Sequence, residues 1–193
     1  MSKAISMFLF WTYREKSDLA TLTRWATDGP WSHMGHGFCL DDARSVYFEA
    51  LRDEGFVGPR PLIDLHTWSK ESGHHARFEL VQLRPGEAEI AYQRSLKMVG
   101  AVSYSKWALC AMAVFERYGI RSPSSETKVV CSEATSRCVD GLMMSHGVEL
   151  ILRDFRRSRH DEVNPNSAWR RWCEIKSGCN VSVPRSEKDG ISW

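Results

Sequence analysis

The stretch Trp31–Leu40, the turn Asp41-Asp42-Ala43-Arg44 and the stretch Ser45–Ala50 constrain the fold most, because together they read as two strands around a four-residue hairpin loop. Successive side chains of a strand point to opposite faces. His33, Gly35, Gly37 and Cys39 therefore share one face, and Met34, His36 and Phe38 the other. Only one of the two histidines can share a face with a given residue of the partner strand. If Cys39 pairs with Ser45, Glu49 comes opposite Gly35 and diagonal to His33, with β-carbons roughly 7–8 Å apart, a gap that long side chains bridge. A slip of one residue would set Glu49 against His36, so the register decides which imidazole the carboxylate serves.

Around this hairpin the chain alternates between strand and helix signals. Ala4–Trp11 reads as a buried strand, too short to span a bilayer and lacking a small-residue cleavage site after it. Ser17-Asp18 offers an N-cap for a helix to about Thr27, stopped by Asp28-Gly29-Pro30. Arg77–Leu83 alternates as a further strand, with Phe78 and Leu80 on one face, and Arg84-Pro85-Gly86 closes it. Helical spacing then covers Glu87–Val99 and Ser105–Tyr118. After the polar loop Ile120–Lys128 comes Val129-Val130-Cys131-Ser132-Glu133. Ala134, Cys138 and Leu142 follow Cys131 at spacings of three and four, which predicts a helix reaching about His146 with Cys131 in its first turn. Val148–Arg156 reads as a strand or an irregular edge, Pro165–Trp172 as a short helix, and the polar tail from Ser177 as loosely held. With no repeat or linker in 193 residues, a single domain over 1–193 is expected.

Composition excludes more than it selects. With 26 Lys+Arg against 24 Asp+Glu, the formal charge of +2 exerts no strong pull towards nucleic acid or an anionic membrane. The six cysteines form neither a CxxC pair nor the dense framework of a stapled secreted domain, so a reducing, cytoplasmic setting is expected. Arg153, Arg156, Arg157, Arg159 and His160, followed by Trp169-Arg170-Arg171-Trp172, form a basic run with aromatics. A solvated face is the leading reading of it and an anionic or nucleic-acid partner the alternative.

The chemistry concentrates on Cys131. A thiol attacks as thiolate, and a helix start and a nearby imidazole both lower its pKa. The expected roles are Cys131 as nucleophile, His33 as base and acid, and Glu49 as the group that orients the ring. Backbone N–H groups at the helix start, that of Ser132 among them, would meet the oxyanion, with Tyr104 as a further donor. Trp31, two residues before His33, would wall the substrate groove. His66 and His74-His75 fall in a loop-like stretch without ligand spacing, so neither metal nor cofactor is expected.

Ser32-His33-Met34-Gly35, the strand Val46-Tyr47-Phe48-Glu49-Ala50, the segment Gly55–Leu62, Tyr104 before a helix, and Val130-Cys131-Ser132-Glu133 occur in an order that resembles the circularly permuted NlpC-like, papain-fold hydrolases of the YiiX/YaeF type. The resemblance covers Ala4 to Asn166. It implies a papain-like α+β fold, with an antiparallel sheet packed against helices and the nucleophile at a helix N-terminus. It also implies a Cys131-His33-Glu49 triad and hydrolysis of amide bonds, often in peptidoglycan-type peptides; the expected substrate is a peptide, aminoacyl or acyl small molecule. The related acyltransferase branch carries a histidine where this chain has Glu49, which favours the amidase side. Acyl transfer or lipase/thioesterase chemistry on acyl esters, and a silent binding module with a buried, unreactive Cys131, are the rival readings. Substrate identity and oligomeric state do not follow from the sequence.

Overall fold

The computed structural model describes residues 2–81, 83–84, 86–104, 128–139, 142 and 164–177. Strand β1 (Ala4–Arg14) is buried from Met7 to Tyr13 and runs on past Trp11. It pairs antiparallel with β2 (His33–Leu40) on one side and β5 (His74–Val81) on the other. Between β1 and β2 lies α1 (Asp18–Thr27), where Ser17 Oγ accepts from the Ala20 N–H at 3.3 Å and Asp28 closes the helix in the left-handed region at φ 47°. With β3 (Ser45–Leu51) and β4 (Gly55–Pro61) these strands form a five-stranded antiparallel sheet in the order β4-β3-β2-β1-β5. Helices α2 (Leu62–Trp68), α3 (Glu87–Met98), α4 (Cys131–Val139) and α5 (Pro165–Ser177) accompany it. A short parallel pair joins β6 (Ser103–Tyr104) to β7 (Lys128–Val129). The architecture is α+β.

The two faces of the sheet bury different partners. Met7, Leu9, Trp11, Phe38 and Phe48 form the main core with α3, α4 and α5. Phe8, Phe10 and Tyr47 pack under Leu65 of α2 on the opposite face. Gly35 and Gly37 make the second arrangement possible. A β-carbon on either would collide with the ring of Phe10 or Phe8, so the missing side chains let those rings lie across β2.

Helix α5 ties the molecule together from its N-terminus. Asn164 caps it, accepting from the N–H groups of Asn166 and Ser167 at 2.9 and 2.8 Å, with Pro165 at the first helical position. The buried Asn166 side chain accepts from the Trp31 N–H at 2.9 Å and donates to the Trp31 carbonyl at 2.7 Å. This clamps the segment that enters β2.

Several expectations change. Helix α4 is described to Val139; Leu142, whose N–H bonds to the Val139 carbonyl at 3.2 Å, is not helical, and the rest of the stretch expected to reach His146 lies outside the described residues. The stretch holding His66, His74 and His75 is not a loop: His66 sits on α2, and His74 and His75 begin β5. Trp169 and Trp172 are buried in the core. Arg170 donates to the Asp28 carbonyl at 3.0 Å and Arg171 pairs with Glu174 at 2.6 Å, so this end of the basic run is tied into the fold. The Ser105–Tyr118 helix, the Val148–Arg156 segment, Arg153–His160 and the tail beyond Ser177 lie outside the described residues. Among the described residues no helix is long and apolar enough to cross a membrane.

Candidate active site

The hairpin register places the carboxylate on His33. Cys39 pairs with Ser45 and His36 with Phe48. Continuing that register sets Glu49 across from Gly35 and diagonal to His33. His33 Nε2 lies 3.0 Å from Glu49 Oε2. The Phe10 ring, admitted by Gly35, braces the imidazole with centroids 6.4 Å apart.

His36 faces the main core instead. Its Nε2 meets Ser95 Oγ at 2.8 Å and its Nδ1 meets Thr135 Oγ1 at 3.2 Å, while the ring stacks on Phe48 and Phe56. Burial pushes its pKa down to about 3, so it is a neutral packing residue.

Cys131 is the first residue of α4 and is 2% exposed. The helix start is held by Glu133, whose Oε2 accepts from the Val130 N–H at 3.4 Å and whose Oε1 accepts from Arg137 at 2.6 Å. This is the return half of a capping box. The β2–β3 ladder stops at His36–Phe48, and beyond its end the Met34 N–H meets the Cys131 thiol. The Ser132 N–H is the second backbone donor to the sulfur. Cys131 thus comes from the helical side of the sheet and meets His33 around the end of β2.

The electrostatics of the pair follow from mutual contact. Burial opposes charge on both groups. For Cys131 the neighbouring imidazolium, its hydrogen bond and the two backbone N–H groups outweigh burial and bring the thiol pKa down. For His33, burial is outweighed by the Cys131 thiolate and by Glu49, and the pKa rises from 6.5 to about 10. A thiolate–imidazolium pair results. Because Glu49 occupies Nε2, the nitrogen left to face the sulfur is Nδ1.

Tyr104 joins the site through the β6–β7 pair, which sets it beside Val129, two positions before Cys131. Burial and the Cys131 charge both push its phenol pKa up, which keeps it a neutral donor. With His33 and Glu49 it lines an open cleft of about 500 Å³ walled by α1, β1 and α2. Cys131, hydrogen-bonded to His33, is not on that wall. Trp31 is not on it either: it is 6% exposed and packs between Tyr13 and Trp169, because it precedes β2 and strand alternation does not govern it.

Two residues on the cleft were not anticipated. Arg60 of β4 lies 3.6 Å from Glu49 Oε1 and Tyr47 sits opposite it in the ladder. The available signal was the alternation of Tyr47 and Glu49 on one face of β3. Two of the other described histidines have other partners: His74 stacks on Trp68 at 4.3 Å, and His75 Nε2 meets Glu15 Oε1 at 2.8 Å. Among the described residues no three His, Cys, Asp or Glu side chains are grouped as metal ligands.

The chain matches no known family model and no curated protein.

Proposed function

We propose that the chain is a cysteine hydrolase that cleaves an amide or peptide bond, built as a permuted NlpC-like, papain-type fold. One observation carries the reading: the His33 imidazole contacts the Glu49 carboxylate on one side and a pKa-lowered thiol at a helix start on the other. A core cysteine has no need of that arrangement; Cys138, seven residues on, has its pKa pushed up to about 12 by burial.

In the proposed cycle the Cys131 thiolate adds to the carbonyl carbon, and the oxyanion is met by Tyr104 and backbone N–H groups. His33 gives its proton to the departing amine, leaving a thioester on Cys131. Water, deprotonated by His33, then hydrolyses the thioester and regenerates the thiolate. The substrates proposed are peptide, aminoacyl or acyl small molecules that fit the cleft. A reducing, cytoplasmic setting is part of the proposal, on the cysteine usage of the sequence.

The test is turnover by wild type and Cys131→Ala across peptidoglycan-type peptides, aminoacyl amides and acyl esters. Amide cleavage lost in the variant supports the proposal. Ester turnover alone would favour the acyltransferase or lipase reading, and full activity in Cys131→Ala would remove the nucleophile.

A further inference from the structure

We propose that Arg60 is a positioning residue of the catalytic pair, acting by holding the carboxylate oxygen of Glu49 that His33 does not use; this rests on the cysteine-hydrolase reading. Glu49 offers two oxygens to two cations. Oε2 takes His33 Nε2 at 3.0 Å, and Oε1 faces Arg60 Nη1 at 3.6 Å. A terminal carboxylate torsion is a broad rotor with no deep well of its own, so a single contact leaves the plane of the group free to turn. A second cation on the other oxygen removes that freedom.

Arg60 is itself held. Its Nη2 donates to Glu54 Oε2 at 2.6 Å, and Tyr47, directly opposite in the β3–β4 ladder, hydrogen-bonds it through the phenol. The ladder pairs Tyr47 with Arg60 and Glu49 with Val57, with a register shift between them, and the long Arg60 side chain reaches along β3 to Glu49. The guanidinium stays charged at every pH the enzyme meets and spans two carboxylates with a rigid fork, which an ammonium cannot do. A tie to the exposed Glu54 alone would be an ordinary surface ion pair of little value. The reach to Glu49, whose side chain is 11% exposed, gives the residue its role.

The test needs no substrate. Cys131 alkylation by iodoacetamide is followed against pH by site-resolved mass spectrometry in wild type, Arg60→Gln and Arg60→Lys, with circular dichroism and melting temperature as checks on folding. Loss of Arg60 lets Glu49 turn from the imidazolium and removes a positive charge near the thiolate. Both effects move thiolate formation to higher pH. The expected result is an alkylation rate at pH 6 lowered about tenfold in Arg60→Gln, as when thiolate formation moves up by about one pH unit, with Arg60→Lys in between. A folded Arg60→Gln protein whose profile superposes on wild type overturns the proposal. If Arg60→Gln does not fold, Arg60→Lys decides: a wild-type profile there overturns the proposal and a clear fall at pH 6 supports it. Wild-type Cys131 that alkylates only at the pH of an ordinary thiol would instead defeat the hydrolase reading, whatever Arg60 does.

Discussion

His33 Nε2 and Glu49 Oε2 sit 3.0 Å apart across a hairpin whose turn separates them by 16 residues. The contact fixes the chemistry of the ring as well as its angle. With Nε2 taken by the carboxylate, Nδ1 is the nitrogen left to face the sulfur, and in the proposed cycle it is the one that exchanges the proton.

Glu49→Gln keeps the shape of the contact and removes the charge, while its amide can present either a donor or an acceptor to the ring. The expected effect is a loss in kcat of about 10²–10⁴-fold with KM little changed, the scale seen when an orienting carboxylate is neutralised in a catalytic triad. Steady-state kinetics on whichever substrate wild type turns over provide the measurement, and an unchanged kcat would remove Glu49 from the mechanism.

The pH dependence follows from the two opposed shifts. His33 rises from 6.5 to about 10, so its stabilising contribution is present below 6.5 and lost as pH climbs through about 10. Cys131 falls below its ordinary 9.0, so its contribution is present above that value and lost as pH drops through the lowered one. The ion pair exists between the two folded-state values. The kcat/KM profile is therefore expected to be bell-shaped with an alkaline limb near pH 10. In Cys131→Ala the largest upward influence on the imidazole is gone, and NMR titration of His33 should give a pKa well below 10.

Tyr104→Phe removes a hydroxyl without changing the ring that packs beside Cys131. Because loss of one oxyanion donor costs about 10²–10³ in kcat, a fall of about a hundredfold is expected, with the Cys131 alkylation profile nearly unmoved. If alkylation collapsed as well, Tyr104 would be supporting the thiolate instead of the oxyanion.

His36 predicts the acid behaviour of the fold. Its pKa is depressed to about 3, so its neutral form stabilises the folded state fully above 6.5. That contribution declines by about 1.4 kcal/mol for each pH unit below 6.5 until the folded-state value is reached. His36→Leu removes the titration. Ser95 and Thr135 keep backbone acceptors at Ala91 and Cys131, so the hydroxyls are not stranded. Urea unfolding of the variant should show a flatter fall in stability between pH 6 and pH 4 than wild type.

Much of the site was legible because it depends on short-range rules. The Asp41–Arg44 turn sets the register, alternation then separates His33 from His36, and a spacing of three and four from Cys131 gives the helix. Trp31 escaped because it lies ahead of β2, where its position comes from Asn166 across 135 residues of sequence. Arg60 escaped for a related reason: β4 opens at Gly55, which adopts φ 79°, and the register shift beside Glu49 is a feature of the paired strands with no mark in either one. The crossing of Cys131 around the end of β2 likewise arises from how the helix and sheet layers meet.

The hold of Asn166 on Trp31 gives the reaction centre a place in the chronology of synthesis. The ribosome delivers His33 and Glu49 early and Cys131 much later, and the backbone entering His33, already bonded to β1 through the Ser32 N–H and the Thr12 carbonyl, gains its clamp on Trp31 only when Asn164–Ser167 has emerged and capped its helix. On the proposed function, a nascent chain that has Cys131 but ends before Asn164 lacks this tie and is expected to carry a less reactive thiol. Ribosome-stalled chains ending before Asn164 should resist alkylation at neutral pH, and those extended past Ser177 with enough length to clear the exit tunnel should label.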